Sequence, residues 1–245
     1  MGKDFVILTL ARTGSSSLAK ALRIHPEIKL LAEPFHEPTL RKKKTWYINQ
    51  VHNMDSFIST LNTIYCKHNG IKHSLEHIPV QYNMYMANSG IYKIIYLYRK
   101  NILKNVISSF ISKQTQEWGT QKNKILEHIF KPLSLKEVSK MIHMRKEIFK
   151  KYRLYLESND IPYFDLCYEE LYGKHIKIDK RMNTYFDILK FLGFCKDLNE
   201  EQLNSIREIL SPSTKLNSTE TYKLIPNIHK IEKEFGCREN GYLFE

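Results

Sequence analysis

Short apolar runs bounded by polar turns alternate along this 245-residue chain with longer stretches whose apolar residues recur every three or four positions. The runs at 5–11, 28–32, 70–73, 92–98 and 163–167 are rich in Ile, Val, Leu, Tyr and Phe and have the length of strands. The helical period predicts helices over 17–23, 55–68, 78–88, 101–113, 135–157, 184–192, 200–210 and 226–235. Ser134-Leu-Lys-Glu137 has capping-box spacing, and Gly193 and Gly236 sit where helices stop. In the longest helix, Val138, Met141, Ile148, Tyr152 and Tyr155 read as a core-packing stripe. Strands alternating with helices predict an α/β fold, a parallel β-sheet flanked by helices on both faces, with ligands at the carboxyl ends of the strands. No repeat and no flexible linker divides the chain, so 1–245 is read as one domain.

The first strand runs into a turn suited to an anion: Phe5-Val-Ile-Leu-Thr-Leu-Ala-Arg-Thr-Gly-Ser-Ser-Ser-Leu18. The backbone N–H groups and dipole at the following helix N-terminus favour negative charge. Gly14 permits positive φ and close approach, the serines add hydroxyl donors, and Arg12 adds a fixed charge, which together suit a phosphate or a sulfate. The nucleoside-triphosphatase loop G-x-x-x-x-G-K-[ST] is not matched, because no second glycine, Gly-Lys pair or hydroxyl after Lys20 is present. That weakens a metal-triphosphate reading. In Tyr92-Lys-Ile-Ile-Tyr-Leu-Tyr-Arg-Lys-Asn-Ile-Leu-Lys-Asn-Val-Ile-Ser-Ser109 a strand ends at Arg99-Lys100 and a helix starts near Asn101. Arg99 and Ser108, nine residues apart, have the reach to grip one phosphate, with Lys100 and Ser109 as adjacent alternatives. Arg12 and Arg99 both fall at carboxyl ends of predicted strands.

These segments resemble the sulfotransferases that use 3′-phosphoadenosine 5′-phosphosulfate (PAPS). Arg12-Thr-Gly-Ser-Ser-Ser17 looks like their 5′-phosphosulfate loop, which implies donor-binding roles for Arg12, Thr13, Gly14, Ser15, Ser16 and Ser17. Arg99 with Ser108 looks like their 3′-phosphate motif. The Asp-Pro that often follows that arginine in Golgi members is missing, and Arg-Lys-Asn is closer to the bacterial glycolipid and nodulation-factor branch. Ile161-Pro-Tyr-Phe-Asp-Leu-Cys-Tyr-Glu-Glu-Leu171 resembles the late core strand ending in Tyr-Glu-x-Leu, and Phe186-Asp-Ile-Leu-Lys-Phe-Leu-Gly193 the helix that follows. Lys215, with Asn227, falls where carbohydrate sulfotransferases have a segment covering the nucleotide. The resemblance implies a P-loop-NTPase-like sheet (the sulfotransferase fold), PAPS as co-substrate with 3′-phosphoadenosine 5′-phosphate (PAP) as product, no metal, and a carbohydrate or glycolipid acceptor.

Sulfuryl transfer needs a base for the acceptor hydroxyl and cations or N–H donors for the moving group. Glu33 lies at the predicted end of the second strand, which Pro34 stops. In trehalose- and nodulation-factor-type sulfotransferases a Glu in a similar Glu-x-Phe context is the base, which implies that role here. His73 is the alternative, because Gly70-Ile-Lys-His73 looks like the cytosolic-sulfotransferase strand that ends in a Lys with a catalytic His close behind. Lys72, and Arg12 from the loop, would then steady the transferring sulfate. His73 and His77 are spaced like paired zinc ligands, but no third ligand accompanies them, so no metal is expected.

Charge and composition narrow the alternatives. The net charge of +12 draws anions and fits a polyanionic donor as well as nucleic acid. The basic run Arg41-Lys-Lys-Lys44, followed by Trp46 and Tyr47, is read as a solvated loop or an acceptor surface. No recognised nucleic-acid-binding motif is present, and no nucleic-acid partner is expected. The four cysteines are widely spaced and read as reduced thiols. No window has the length of a membrane span, and Met-Gly-Lys-Asp enters the first strand directly, so a cytoplasmic protein is expected. The competing functions are a degenerate small-molecule kinase using ATP and Mg²⁺, and a non-catalytic basic nucleic-acid-binding protein.

Overall fold

The computed structural model describes residues 4–36, 47–117, 125–211 and 219–245; the basic run at 41–44, Trp46 and Lys215 lie outside them. Five strands, β1 (Phe5–Thr9), β2 (Leu30–Ala32), β3 (Gly70–Ser74), β4 (Lys93–Tyr98) and β5 (Tyr163–Cys167), form one sheet in the order β2-β3-β1-β4-β5. Every pairing is parallel, so all carboxyl ends lie along one edge. Phe5 of β1 pairs with Gly70 and with Lys93, and Tyr98 of β4 pairs with Cys167. All five residues of β1 are buried, as a central parallel strand requires.

Alternation along β1 sends its side chains into two cores. Val6 and Leu8, with Ile71, Ile94 and Tyr96, meet α2 (Met54–Tyr65), α3 (Val80–Asn88), α4 (Ile102–Thr115), α5 (Leu135–Ser158) and the late helix α10 (Ile228–Phe235). Phe5 and Ile7, with Ile95, Leu97 and Leu166, meet α1 (Ser15–Leu22), α7 (Ile178–Leu192) and α8 (Glu200–Ile209). The result is the expected α/β architecture, a parallel sheet covered on both faces. Gly70 is there for space: a Cβ would stand 2.3 Å from the Phe5 ring.

The boundaries differ where side-chain chemistry overrides periodicity. Strand β1 stops at Thr9 because Ala11–Gly14 already turn, with Arg12 at φ 67° and Gly14 at φ 81°. Helix α1 starts at Ser15, so the three serines form its first turn. Helix α7 starts at Ile178, six residues before the expected start, because polar Asp179-Lys-Arg181 masks its first turn in the pattern. The short helices α6 (Tyr168–Tyr172) and α9 (Thr219–Lys223) carry too few apolar positions to show a period. Among the described residues, no helix is long and apolar enough to cross a membrane.

Candidate anion-binding and transfer site

The strand order places β1 at the point where successive connections leave in opposite directions, with β3 on one side and β4 on the other. Crevices outside such points are the usual ligand sites of parallel sheets. The turn after β1 fills this one. Its carbonyls are held from behind: the Asn105 amide donates to the Ala11 carbonyl at 3.0 Å, and an Arg99 Nη1–H donates to the Arg12 carbonyl at 3.2 Å. Thr13 is fully buried and its hydroxyl meets Thr9 at 2.5 Å and donates to the Leu10 carbonyl at 2.9 Å. The Thr13 side chain therefore shapes the turn, and only its backbone can face a ligand there.

Gly14 caps α1 without a side-chain hydrogen bond, and no acidic residue occupies the first turn of that helix. A Cβ on Gly14 would lie 2.7 Å from the Tyr172 ring and 2.9 Å from Tyr168, so positive φ and close packing both require glycine. Within the first turn Ser15 is buried and Ser16 exposed. This leaves a helix N-terminus whose positive end faces the sheet's carboxyl edge.

Two arginines join it. The Arg12 Nε–H donates to the Ser108 hydroxyl at 2.8 Å, tying the turn to α4. Arg99, buried at the end of β4, lies with its guanidinium carbon 4.3 Å above the Tyr168 ring and its Nε 3.8 Å from Glu169. Lys100 points away; its ammonium is largely exposed and pairs with Glu170 at 2.7 Å. Ser109 is occupied locally, donating to the Asn105 carbonyl at 3.3 Å. Of the adjacent alternatives, the structure thus brings Arg99 and Ser108 to the turn, and directs Lys100 and Ser109 elsewhere.

The Tyr-Glu-x-Leu segment acquires a role that its sequence alone does not state. Glu169 accepts the Lys100 and Asn101 backbone N–H groups at 2.9 and 3.0 Å, so α6, directly after the last strand, fixes the turn carrying Arg99.

A third guanidinium lies behind the first two. Arg145 of α5 is buried, donates to the Asn105 carbonyl at 3.2 Å and to the Asn105 side-chain oxygen, and pairs with Glu76 at 3.6 Å. Its position was legible in outline. The buried stripe of α5 is Val138, Ile142, Arg145, Phe149, Tyr152 and Leu156, a steady three-and-four spacing with one arginine in it. The expected stripe was centred one position off: Met141, Ile148 and Tyr155 are its partly buried flank.

Burial and then the charge of Arg99 lower the Arg12 pKa to about 10. Burial also acts to lower Arg99, but the Tyr168 and Tyr222 phenols and Glu169 outweigh it and raise that group. Crowding of like charges in a partly desolvated site favours a bound anion.

On the other side of β1, at the ends of β2 and β3, Glu33 and Lys72 meet. The nearly inaccessible Lys72 ammonium lies 2.5 Å from Glu33 Oε1 and 3.5 Å from the Ser16 hydroxyl. Glu33 adopts φ 53°, the left-handed region, while its N–H donates to the Lys72 carbonyl at 2.7 Å. Burial pushes the Glu33 carboxyl up, but the charge and hydrogen bond of Lys72 bring it below the usual carboxylate value. His73 follows on β3 with its side chain fully buried, Nε2 2.8 Å from Asn83 Oδ1 and the ring against Phe35. Burial lowers its pKa to about 3, so it is neutral near pH 7. Asn83 in turn donates to the Tyr152 hydroxyl at 2.8 Å, which makes His73 part of an internal polar chain.

Asn227 clasps Leu133, accepting its N–H at 2.9 Å and donating to its carbonyl at 2.8 Å, so this residue fastens α10 to the segment before α5. Asn105, Arg145 and Tyr222 enter the site unmarked by any motif, and Tyr168, which opens the Tyr-Glu-x-Leu segment, enters it as the ring against Arg99, because only packing brings four distant segments together.

No protein-family model matches the chain, and no curated protein sequence does. Among solved structures it is similar to the mouse sulfotransferase SULT7A1 complexed with PAP, at 17% identity and a TM-score of 0.44 over 87% of this chain. The match covers 66% of the mouse chain, just under two thirds of its length. It is also similar to a sulfotransferase from Alicyclobacillus acidocaldarius, at 15% identity and a TM-score of 0.45 over 84% of this chain and 90% of that one.

Proposed function

We propose that the chain transfers a sulfuryl group from PAPS to an acceptor hydroxyl, with a carbohydrate or glycolipid as the acceptor. The observation that carries this reading is the placement of Lys72, which touches Glu33 on one side and approaches Ser16 of the anion-binding helix on the other. One ammonium thereby links a carboxylate suited to proton acceptance with the turn suited to a phosphosulfate.

In this reading the N–H groups and hydroxyls of Gly14 through Ser17, with Arg12, receive the 5′-phosphosulfate, and Arg99 with Ser108 receives the 3′-phosphate. The acceptor oxygen forms a bond to sulfur as the bond from sulfur to the 5′-phosphate oxygen breaks. The departing electron pair stays on the bisphosphate, and the acceptor proton passes to Glu33. Lys72 keeps Glu33 ionised and ready to accept, and lies close enough to the turn to steady charge growing on the transferring group. His73 is set aside as the base because its side chain is fully buried. Protein cations and N–H donors carry the charge, so the proposed transfer calls for no metal.

The test is thermal unfolding and titration calorimetry with PAP, set against ATP plus Mg²⁺ and against ADP. Saturating PAP at ~100 times its Kd should stabilise the fold by about 2.7 kcal/mol. Arg99→Ala should weaken PAP by about 100-fold, since a charge-assisted contact to phosphate is lost in a desolvated site. A response to ATP and Mg²⁺ with none to PAP would overturn the proposal in favour of a kinase. Tight, steeply salt-dependent binding to polynucleotide without any response to PAP would overturn it in favour of a nucleic-acid-binding protein.

A further inference from the structure

The amino-terminal edge of the sheet, opposite the site above, holds a second cluster of reactive groups. His25 follows α1, Glu27 lies two residues on, and Cys195 comes from the turn after α7. Phe194 anchors this corner, set edge-on to Phe5 at the start of β1 and 5.2 Å from the His25 ring. Imidazole, carboxylate and thiol ligand atoms all lie within 4.8 Å of one another.

We infer that His25, Glu27 and Cys195 form a binding site for a divalent metal of the zinc class. Sγ of Cys195 lies 3.9 Å from His25 Nε2 and 3.8 Å from Glu27 Oε1. Ligand bonds of about 2.0–2.3 Å arranged tetrahedrally give edges of roughly 3.3–3.6 Å, so the two sulfur edges close with a shift of a few tenths of an ångström, and the imidazole–carboxylate edge, within 4.8 Å, closes by turning the exposed Glu27 side chain. The donors select the metal: thiolate and imidazole favour zinc over magnesium or calcium, which take oxygen ligands. Three protein ligands leave the fourth position to water.

His25 is almost wholly buried, which presets one ligand, whereas Glu27 and Cys195 are exposed and leave an entry path. The present contacts of the ring are weak. Nδ1 accepts the Glu27 N–H at 3.2 Å, and Nε2 faces the Cys195 carbonyl at the same distance. On binding, the metal takes the Nε2 lone pair, the ring proton moves to Nδ1, and the Cys195 thiol proton leaves to solvent. One proton is released per ion, nothing is oxidised, and the ring's two long hydrogen bonds, with the loose thiol contacts to His25 and Glu27, give way to metal bonds. Loops some 170 residues apart become joined beneath α1, at the far end of the helix that forms the anion-binding turn.

The test is calorimetric titration of the full chain with Zn²⁺ and absorption spectroscopy with Co²⁺, repeated on Cys195→Ser and Glu27→Gln. Both replaced side chains are exposed, so the fold survives, and the PAP response serves as the control for it. One zinc per chain should bind with proton release, and Co²⁺ should give a thiolate-to-metal charge-transfer band. Cys195→Ser should abolish that band and raise the zinc Kd by at least the 10–100-fold that loss of a mere supporting partner costs. Saturating zinc should raise Tm by a few degrees in the parent and not in Cys195→Ser. Absence of the charge-transfer band, or a zinc Kd unchanged by Cys195→Ser, would overturn the inference.

Discussion

The two flanks of β1 treat charge in opposite ways. Toward β4, Arg12, Arg99 and Arg145 bring like charges together; Glu169 at 3.8 Å from Arg99 and Glu76 at 3.6 Å from Arg145 stand beside them as loose ion pairs, and neutral groups add the Ser108 hydroxyl, the Arg12 and Asn105 carbonyls and the Tyr168 face. Toward β3, charge is balanced or suppressed, with Lys72 matched by Glu33 and His73 held neutral by burial. Clustered cations whose ion pairs are this loose keep an attraction for an anion. A matched pair instead fixes the protonation state of each partner. One flank is thus suited to holding a multiply charged ligand, and the other to managing a single proton.

The sharpest way to break this comparison is to remove the carboxylate. Glu33→Gln should lower sulfuryl transfer by about 10²–10⁴ while PAP affinity is kept, since the loss falls on proton transfer. Single-turnover rates alongside PAP calorimetry separate the two, and parallel losses in rate and affinity would count against the division. The relay behind the turn comes next. Arg145→Met removes the group that orients Asn105, and PAP affinity should fall about tenfold, or ~1.4 kcal/mol, through a residue placed behind the turn.

Acidification probes the suppressed flank. Burial holds His73 near pKa 3 and, with neighbouring His36, lowers His77 to about 4, below the ordinary 6.5. Between pH 6.5 and 4 the unfolded chain therefore binds more protons than the folded one, and stability falls as pH falls. The slope is up to about 1.4 kcal/mol per pH unit for each group. Glu33, held below its ordinary 4.5, adds its own loss only at lower pH. Urea unfolding from pH 7 to 4 checks the sign, and His77→Gln should flatten the slope by the share of one group, leaving those of His73 and of His68, which burial also lowers. The smallest effect belongs to Lys100→Ala, which breaks only an exposed pair with Glu170 and should change stability by less than about 1 kcal/mol. Its PAP affinity should match the parent, in contrast to the adjacent Arg99.

Local pattern made much of this legible. The five strands and the eight expected helices follow from apolar runs and period, and the turn at Arg12–Ser17 follows from a strand meeting small residues and a helix start. A cation at 99–100 and a carboxylate at 33 are also readable as strand-end positions, because the ends of parallel strands are where ligand-facing residues fall. The choice of Arg99 over Lys100, and of Ser108 over Ser109, was not readable: adjacent residues of similar chemistry differ only in which neighbour packs beside them. Glu169 makes that choice for the β4 turn by taking two of its N–H groups. Arg145 shows the same limit, since a charge within an apolar stripe signals a buried partner without naming Asn105 or Glu76.

By itself, then, the sequence determined the alternation of elements, the parallel sheet and the Gly-Ser turn between β1 and α1, because these rest on propensity, period and chain connectivity over a few residues. Tertiary structure alone decided which cations converge, that Lys72 spans from Glu33 toward Ser16, and that the His73 side chain is fully buried. Those outcomes depend on burial and on contacts between segments dozens of residues apart, where a difference of one position along a strand or helix reverses the direction in which a side chain points.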